Sequence, residues 1–129
     1  MNLSCLQQVV SGGMLSAGFT ISGTTSKTVL IRASGPVLAS FNIPSILPVM
    51  IDPTLSVFSG STVLATNSGW GGDSAISAAA TAIGAFAFPS STSTDSAVLI
   101  TLAAGNYTVQ VKSVSGAAGS TMIEIFEVP

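Results

Sequence analysis

Most of the chain alternates. Thr54-Leu-Ser-Val-Phe-Ser59 sets small polar side chains against large apolar ones at every second position, the period of a strand with one buried and one wet face. Tyr107-Thr-Val-Gln-Val-Lys-Ser113 does the same, with Tyr107, Val109 and Val111 on one face. In Thr121-Met-Ile-Glu-Ile-Phe-Glu-Val128, Met122, Glu124 and Phe126 share one face and Ile123, Ile125 and Glu127 the other. Thr62 to Asn67 and Ala97 to Leu102 read as further strands, and Leu3 to Val10 and Met14 to Ser22 as two more, joined by Ser11-Gly12-Gly13. Lys27 to Gly35 is a nearly continuous β-branched and aliphatic run that stops at Gly35-Pro36, a strong turn marker. Gly60-Ser61 reads as a tight hairpin turn between two of these segments, and Ala104-Gly105-Asn106 as another turn.

Two stretches break this rhythm. Pro36 to Asn42 opens with a proline suited to the first position of a helical turn and predicts one or two turns. Asp73-Ser-Ala-Ile-Ser-Ala-Ala-Ala-Thr-Ala-Ile83 predicts the one full helix. Asp73 or Ser74 can cap its start, alanine favours its interior and Gly84 can end it. Ile76, Ala79, Ala80 and Ile83 then make an apolar stripe toward a sheet. Many short strands with one small helix predict an all-β domain spanning residues 1–129: an antiparallel β-sandwich or jelly roll with one short helix near 73–83.

Composition narrows the chemistry. Only 6 % of residues are charged, against roughly 25 % in an average soluble protein, while 47 % are hydrophobic. Three Lys/Arg against five Asp/Glu cannot neutralise a row of phosphates, so nucleic acid is not expected as a partner. With no histidine, neither a Ser-His-Asp nor a Cys-His constellation can form, and the common zinc sets lose a ligand. The first basic side chain is Lys27, and Gln7, Gln8, Ser11 and Gly12 interrupt the early apolar residues, so no signal segment is legible. Residues 75–89 are too short, and 29–51 too broken by Arg32 and prolines, to span a bilayer, so membrane insertion is not expected. Cys5, the single cysteine, reads as a small buried hydrophobe or as a cross-link between subunits.

The candidate residues are few. Asp52, Asp73, Asp95, Glu124 and Glu127 read as turn, cap and strand positions rather than as a catalytic acid pair, and no catalytic residue is expected. Arg32 lies mid-strand on the same face as Leu30, so its head needs a partner: Glu124 or Glu127 as an internal ion pair, or an acid from a ligand or neighbouring subunit. Asn67-Ser-Gly-Trp-Gly-Gly-Asp73 holds the only tryptophan. Trp70 could stack on a sugar ring or dock a partner, with Asn67 and Asp73 beside it, or fold back as a plug over the end of the sandwich. Asn67 and Asp73 are also hard-oxygen donors for Ca²⁺, though the stretch is poor in acids for such a site.

Three of these segments carry a resemblance. Asp52-Pro-Thr-Leu-Ser-Val-Phe-Ser59, then Val63-Leu-Ala-Thr-Asn67, then Leu102-Ala-Ala-Gly-Asn-Tyr-Thr-Val-Gln-Val111 resemble, in order, the bacterial pre-peptidase C-terminal domain. Lys27 to Pro36 through Ile123 to Pro129 is similar to an uncharacterised module of large secreted or cell-surface bacterial proteins. The resemblance implies a non-catalytic extracellular β-sandwich, in a family some of whose members bind calcium or polymers such as collagen. Ser68-Gly69-Trp70 stands where acids often stand in that family, which weakens the implied calcium site.

Two functions from different classes are then expected. Mean hydropathy of +0.71 with so few charges leaves little repulsion between copies, and Leu3 to Val10 and Met122 to Val128 lack any Lys or Arg. The first expectation is therefore a structural module that pairs terminal strands with copies of itself or with other surface domains, forming a fibre if the contact does not close. The alternative is an accessory module that binds a polysaccharide or protein matrix through the Trp70 loop.

Overall fold

Every segment with strand periodicity forms a strand in the computed structural model, which describes residues 2–129. In chain order these are β1 (Asn2–Val9), β2 (Leu15–Ile21), β3 (Lys27–Ser34), β4 (Pro53–Ser59), β5 (Thr62–Ser68), β6 (Ser96–Leu102), β7 (Gly105–Ser113) and β8 (Gly119–Val128). One helix, α1 (Ser74–Ile83), lies between β5 and β6. The proline-led stretch after β3 folds as two short 3-10 helices, Pro36–Phe41 and Pro44–Ile46.

Pairing is nested about the middle of the chain. β4 pairs with β5, β3 with β6, β2 with β7 and β1 with β8, all antiparallel. The molecule is thus one long hairpin rolled up, with its tip at Gly60, whose φ of 61° suits a tight turn that residues with a Cβ seldom make. Rolling gives two four-stranded sheets, β1-β8-β3-β6 and β2-β7-β4-β5, the strand order of a jelly roll.

Between the sheets lies a dry core. Val29, Ile31, Ala33, Ile123 and Ile125 from the first sheet meet Leu55, Val57, Val109 and Val111 from the second, all fully buried. The second sheet turns its other face to solvent, which is why β4 and β7 alternate. The β8-β3-β6 part of the first sheet is covered on both faces, because α1 lies on its outer side with Ile76, Ala79 and Ala80 against Leu30, Ala97 and Phe126. That second cover explains the nearly continuous apolar run of β3, whose residues from Val29 to Ser34 are buried on either face. Burying a side chain the size of Ile76 contributes about 1.5–3 kcal/mol, and Asp73 fixes where the helix starts by accepting hydrogen bonds from the Ala75 and Ile76 amides.

The long β3–β4 connection returns through a tight passage. The Met50 amide donates to the Ser120 carbonyl at 2.8 Å, and the Ser120 amide to the Pro48 carbonyl at 2.9 Å. Gly119 sits against this crossing, where a Cβ would fall 2.5 Å from the Met50 nitrogen.

The nested order corrects one expectation. β8, the C-terminal strand, has β1 on one side and β3 on the other, so it offers no free edge for strand addition. Of the two terminal strands only β1 is an edge. Among the described residues no helix is long and apolar enough to cross a membrane.

Candidate functional site

Arg32, Glu124 and Trp70 come together on the outer face of the first sheet, under α1 and the segment that follows it. Arg32 is 1 % exposed and projects outward from β3 into this layer. Its Nε and Nη2 donate to Glu124 Oε1 on the adjacent β8 at 3.2 and 2.9 Å, and its Nη1 donates to the Phe86 carbonyl at 2.5 Å. The rings of Phe86 and Phe88 stand 4.2 and 4.5 Å from the guanidinium carbon, so the charge also meets two π-clouds. Burial pushes the Glu124 carboxyl up from its ordinary range, against the opposing pull of the Arg32 charge.

Glu127, the other candidate partner of Arg32, does not reach it. It lies one register step outside the cluster, opposite Val29, and pairs with Lys27 at 3.3 Å on the surface. The alternation of β8 explains the split: Glu124 shares the outer face with Phe126, and Glu127 the opposite one.

Trp70 is half-buried beside this cluster and not at the end of the sandwich. It meets Phe88 edge-on at 5.5 Å, and its indole nitrogen donates to the Ser90 carbonyl at 2.9 Å. Between α1 and the 85–91 segment a cleft of about 210 Å³ remains, lined among others by Trp70, Phe88 and the buried Arg32. Asn67 and Asp73 stand near the loop but serve the backbone. Asn67 Oδ1 accepts from the Ala97 amide at 3.1 Å, tying β5 to β6, while Asp73 caps α1.

The remaining acids are likewise engaged. Asp95 is buried and accepts from the Gly35 and Val37 amides at 2.6 and 3.3 Å, satisfying the start of the first 3-10 helix. Asp52 accepts from the Ser113 hydroxyl and the Ser115 amide. Its modest burial works upward, but these Ser113 and Ser115 bonds outweigh it and hold the carboxyl below its ordinary range. Among the described residues no group of three or more Cys, Asp or Glu gathers that could hold a metal. Cys5 is a free thiol, half-buried on the core side of β1.

Phe86 and Phe88 are the participants that sequence reasoning passed over. The signal was present: two aromatics at i and i+2 within Ala85-Phe-Ala-Phe88 put both rings on one side of an extended segment, beside a mid-strand arginine in need of cover.

No protein-family model matches the sequence, and no curated protein matches it significantly. The fold is decisive instead. The chain superposes on the crystal structure of the pre-peptidase C-terminal domain of a collagenase from Bacillus anthracis with a TM-score of 0.58, over 98 % of this chain and 90 % of that one, at 10 % identity. The chain has a pre-peptidase C-terminal-like fold. In this fold the three resembling segments fall on β4, on β5 and on the β6–β7 turn with β7, where Tyr107 donates its hydroxyl to the Ala103 carbonyl at 2.6 Å and locks the turn. Those residues shape the pre-peptidase C-terminal-like sandwich, and the Arg32 layer is built outside it from α1 and residues 85–91.

Proposed function

We propose that the chain is a non-catalytic structural module of secreted or cell-surface proteins that joins copies of itself head to tail along its sheet edges. One observation carries the reading. None of the four edge strands, β1, β2, β5 and β6, contains a charged residue, because all eight charges fall on β3, β7, β8 or the connecting segments. Monomeric sheet proteins blunt their edges with charge, lysine above all, and this chain does not. β1 and β2 lie together on one flank and β5 and β6 on the other, so the two open flanks face opposite ways. Just before β6 the Asp95 carbonyl, and on β6 the Ala97 amide, bond outward to the β5 end, and alternation places the amides of Leu99 and Thr101 in the same outward phase. Those amides are a template for an added strand. A contact between unlike flanks does not close and propagates into a fibre.

The likeness to the C-terminal domain of a collagenase supports an accessory role, as does the engagement of Asp52, Asp73 and Asp95 with protein donors. The module works without a bound cofactor on this account.

Two exposed positions test it. Ser4→Lys charges the β1 edge and Thr101→Lys the β6 edge, both at solvent-facing sites that leave the core alone. Each variant by itself is expected to stay monomeric, and a mixture of the two to form dimers only, since one intact flank of each survives. If either variant assembles like the wild type, the edges are not the joints.

A further inference from the structure

The cleft beside Trp70 has properties that packing alone does not call for. A guanidinium carries five N–H donors, and Arg32 uses one on each nitrogen. Two therefore have no acceptor among the described residues, at a side chain 1 % exposed that lines an open cleft. Buried donors are normally satisfied, so these two call for an oxygen from outside. Of the other lining residues, Ser77 and Ser91 have hydroxyls that make no bond to other described residues, and Trp70 and Phe88 contribute aromatic rings.

Charge and size select the occupant. Glu124 already neutralises Arg32, and no lysine lines the cleft, so a second carboxylate would find no net positive field. A cation would meet the guanidinium. A neutral ligand rich in oxygens meets neither penalty. At about 210 Å³ the space falls below the roughly 300–1,000 Å³ that takes drug-sized ligands, and so admits one ring and not two. We propose that this cleft binds a single neutral sugar ring, one exposed unit of a polysaccharide, with its C–H face against Trp70 or Phe88 and a ring or hydroxyl oxygen accepting from Arg32. The site is independent of the strand edges, so a module that never self-associates could still bind sugar, and the reverse.

Trp70 is the only tryptophan, which makes its emission a direct readout of the cleft. The test is titration of dilute wild-type protein with methyl glycosides of glucose, galactose, mannose and N-acetylglucosamine, and with sodium glucuronate. The expected result is a saturable change with at least one neutral glycoside at a Kd of about 1–10 mM. Ala87→Leu on the exposed wall, or Ser77→Leu on α1, should weaken it at least tenfold while the urea midpoint stays put. Absence of saturation with every neutral glycoside up to about 100 mM overturns the proposal. So does an unchanged response in both filled variants, or a tighter response to glucuronate than to any neutral sugar.

Discussion

Replacing Arg32 with methionine should produce a destabilisation that grows with pH. Methionine keeps an unbranched stem beside the Phe86 and Phe88 rings but leaves Glu124 buried without its partner. Glu124 already has its carboxyl raised by burial against the Arg32 charge, so removing that charge raises it further. The folded variant then holds a proton that the unfolded chain, at its ordinary 4.5, has released, and stability falls as pH rises between those two values. A ceiling follows from neutralising the carboxyl: pH 7 lies about 2.5 units above the ordinary value, at 1.36 kcal/mol each, so this cost is at most about 3.4 kcal/mol. At pH 5 the same argument leaves about 0.7 kcal/mol. Breaking one side of a buried pair typically costs about 3–5 kcal/mol, which brackets the neutral-pH figure. The double variant Arg32→Met/Glu124→Leu shares the lost bond to the Phe86 carbonyl but has no buried charge, so it should lie well above the single variant at pH 7 and close to it at pH 5. Urea unfolding followed by Trp70 emission, each variant referred to wild type at the same pH, reads the difference. A loss in Arg32→Met that is equal at pH 5 and pH 7, or a double variant no more stable than the single one at pH 7, would mean that the unpaired Glu124 charge is not what destabilises the variant.

Three other perturbations test separate parts of the fold. Gly119→Ala should cost about 1–3 kcal/mol by urea unfolding, because the added methyl meets the Val49–Met50 backbone and nothing flexible can yield. Asp73→Ala should cost about 1 kcal/mol and lower helical ellipticity, since two amides of α1 lose their acceptor. The lowered Asp52 carboxyl contributes stability that is present above its ordinary 3.8 and lost as pH falls through its folded value; Asp52→Asn should therefore flatten the acid limb of the stability curve below about pH 4 and leave its shape at neutral pH unchanged.

Much of the fold was legible because each strand carries its own period. β4, β7 and β8 alternate, α1 announces its cap and its terminal glycine, and Gly60-Ser61 marks the hairpin tip. The partners of each strand were not legible. Alternation states which face is buried but not which neighbour shares the hydrogen bonds, so β8 read as a terminal edge when the nested pairing places it between β1 and β3. The choice between Glu124 and Glu127 was open for the same reason, since it depends on the β3–β8 register that sets Arg32 opposite Glu124. Trp70 was noticed for its rarity, but its place depends on where residues 85–91 return over α1, a path set by aromatic contacts and not by any local period.

If uncharged flanks join copies of this module, the mass in solution must report it. Size-exclusion chromatography with light scattering, run on the wild-type chain over a range of concentrations and at low and high salt, should show a mass that climbs past the dimer as concentration rises. The climb should persist in salt, because backbone pairing between uncharged strands gives ions little to screen. A single species of 12.8 kDa at every concentration would contradict the claim.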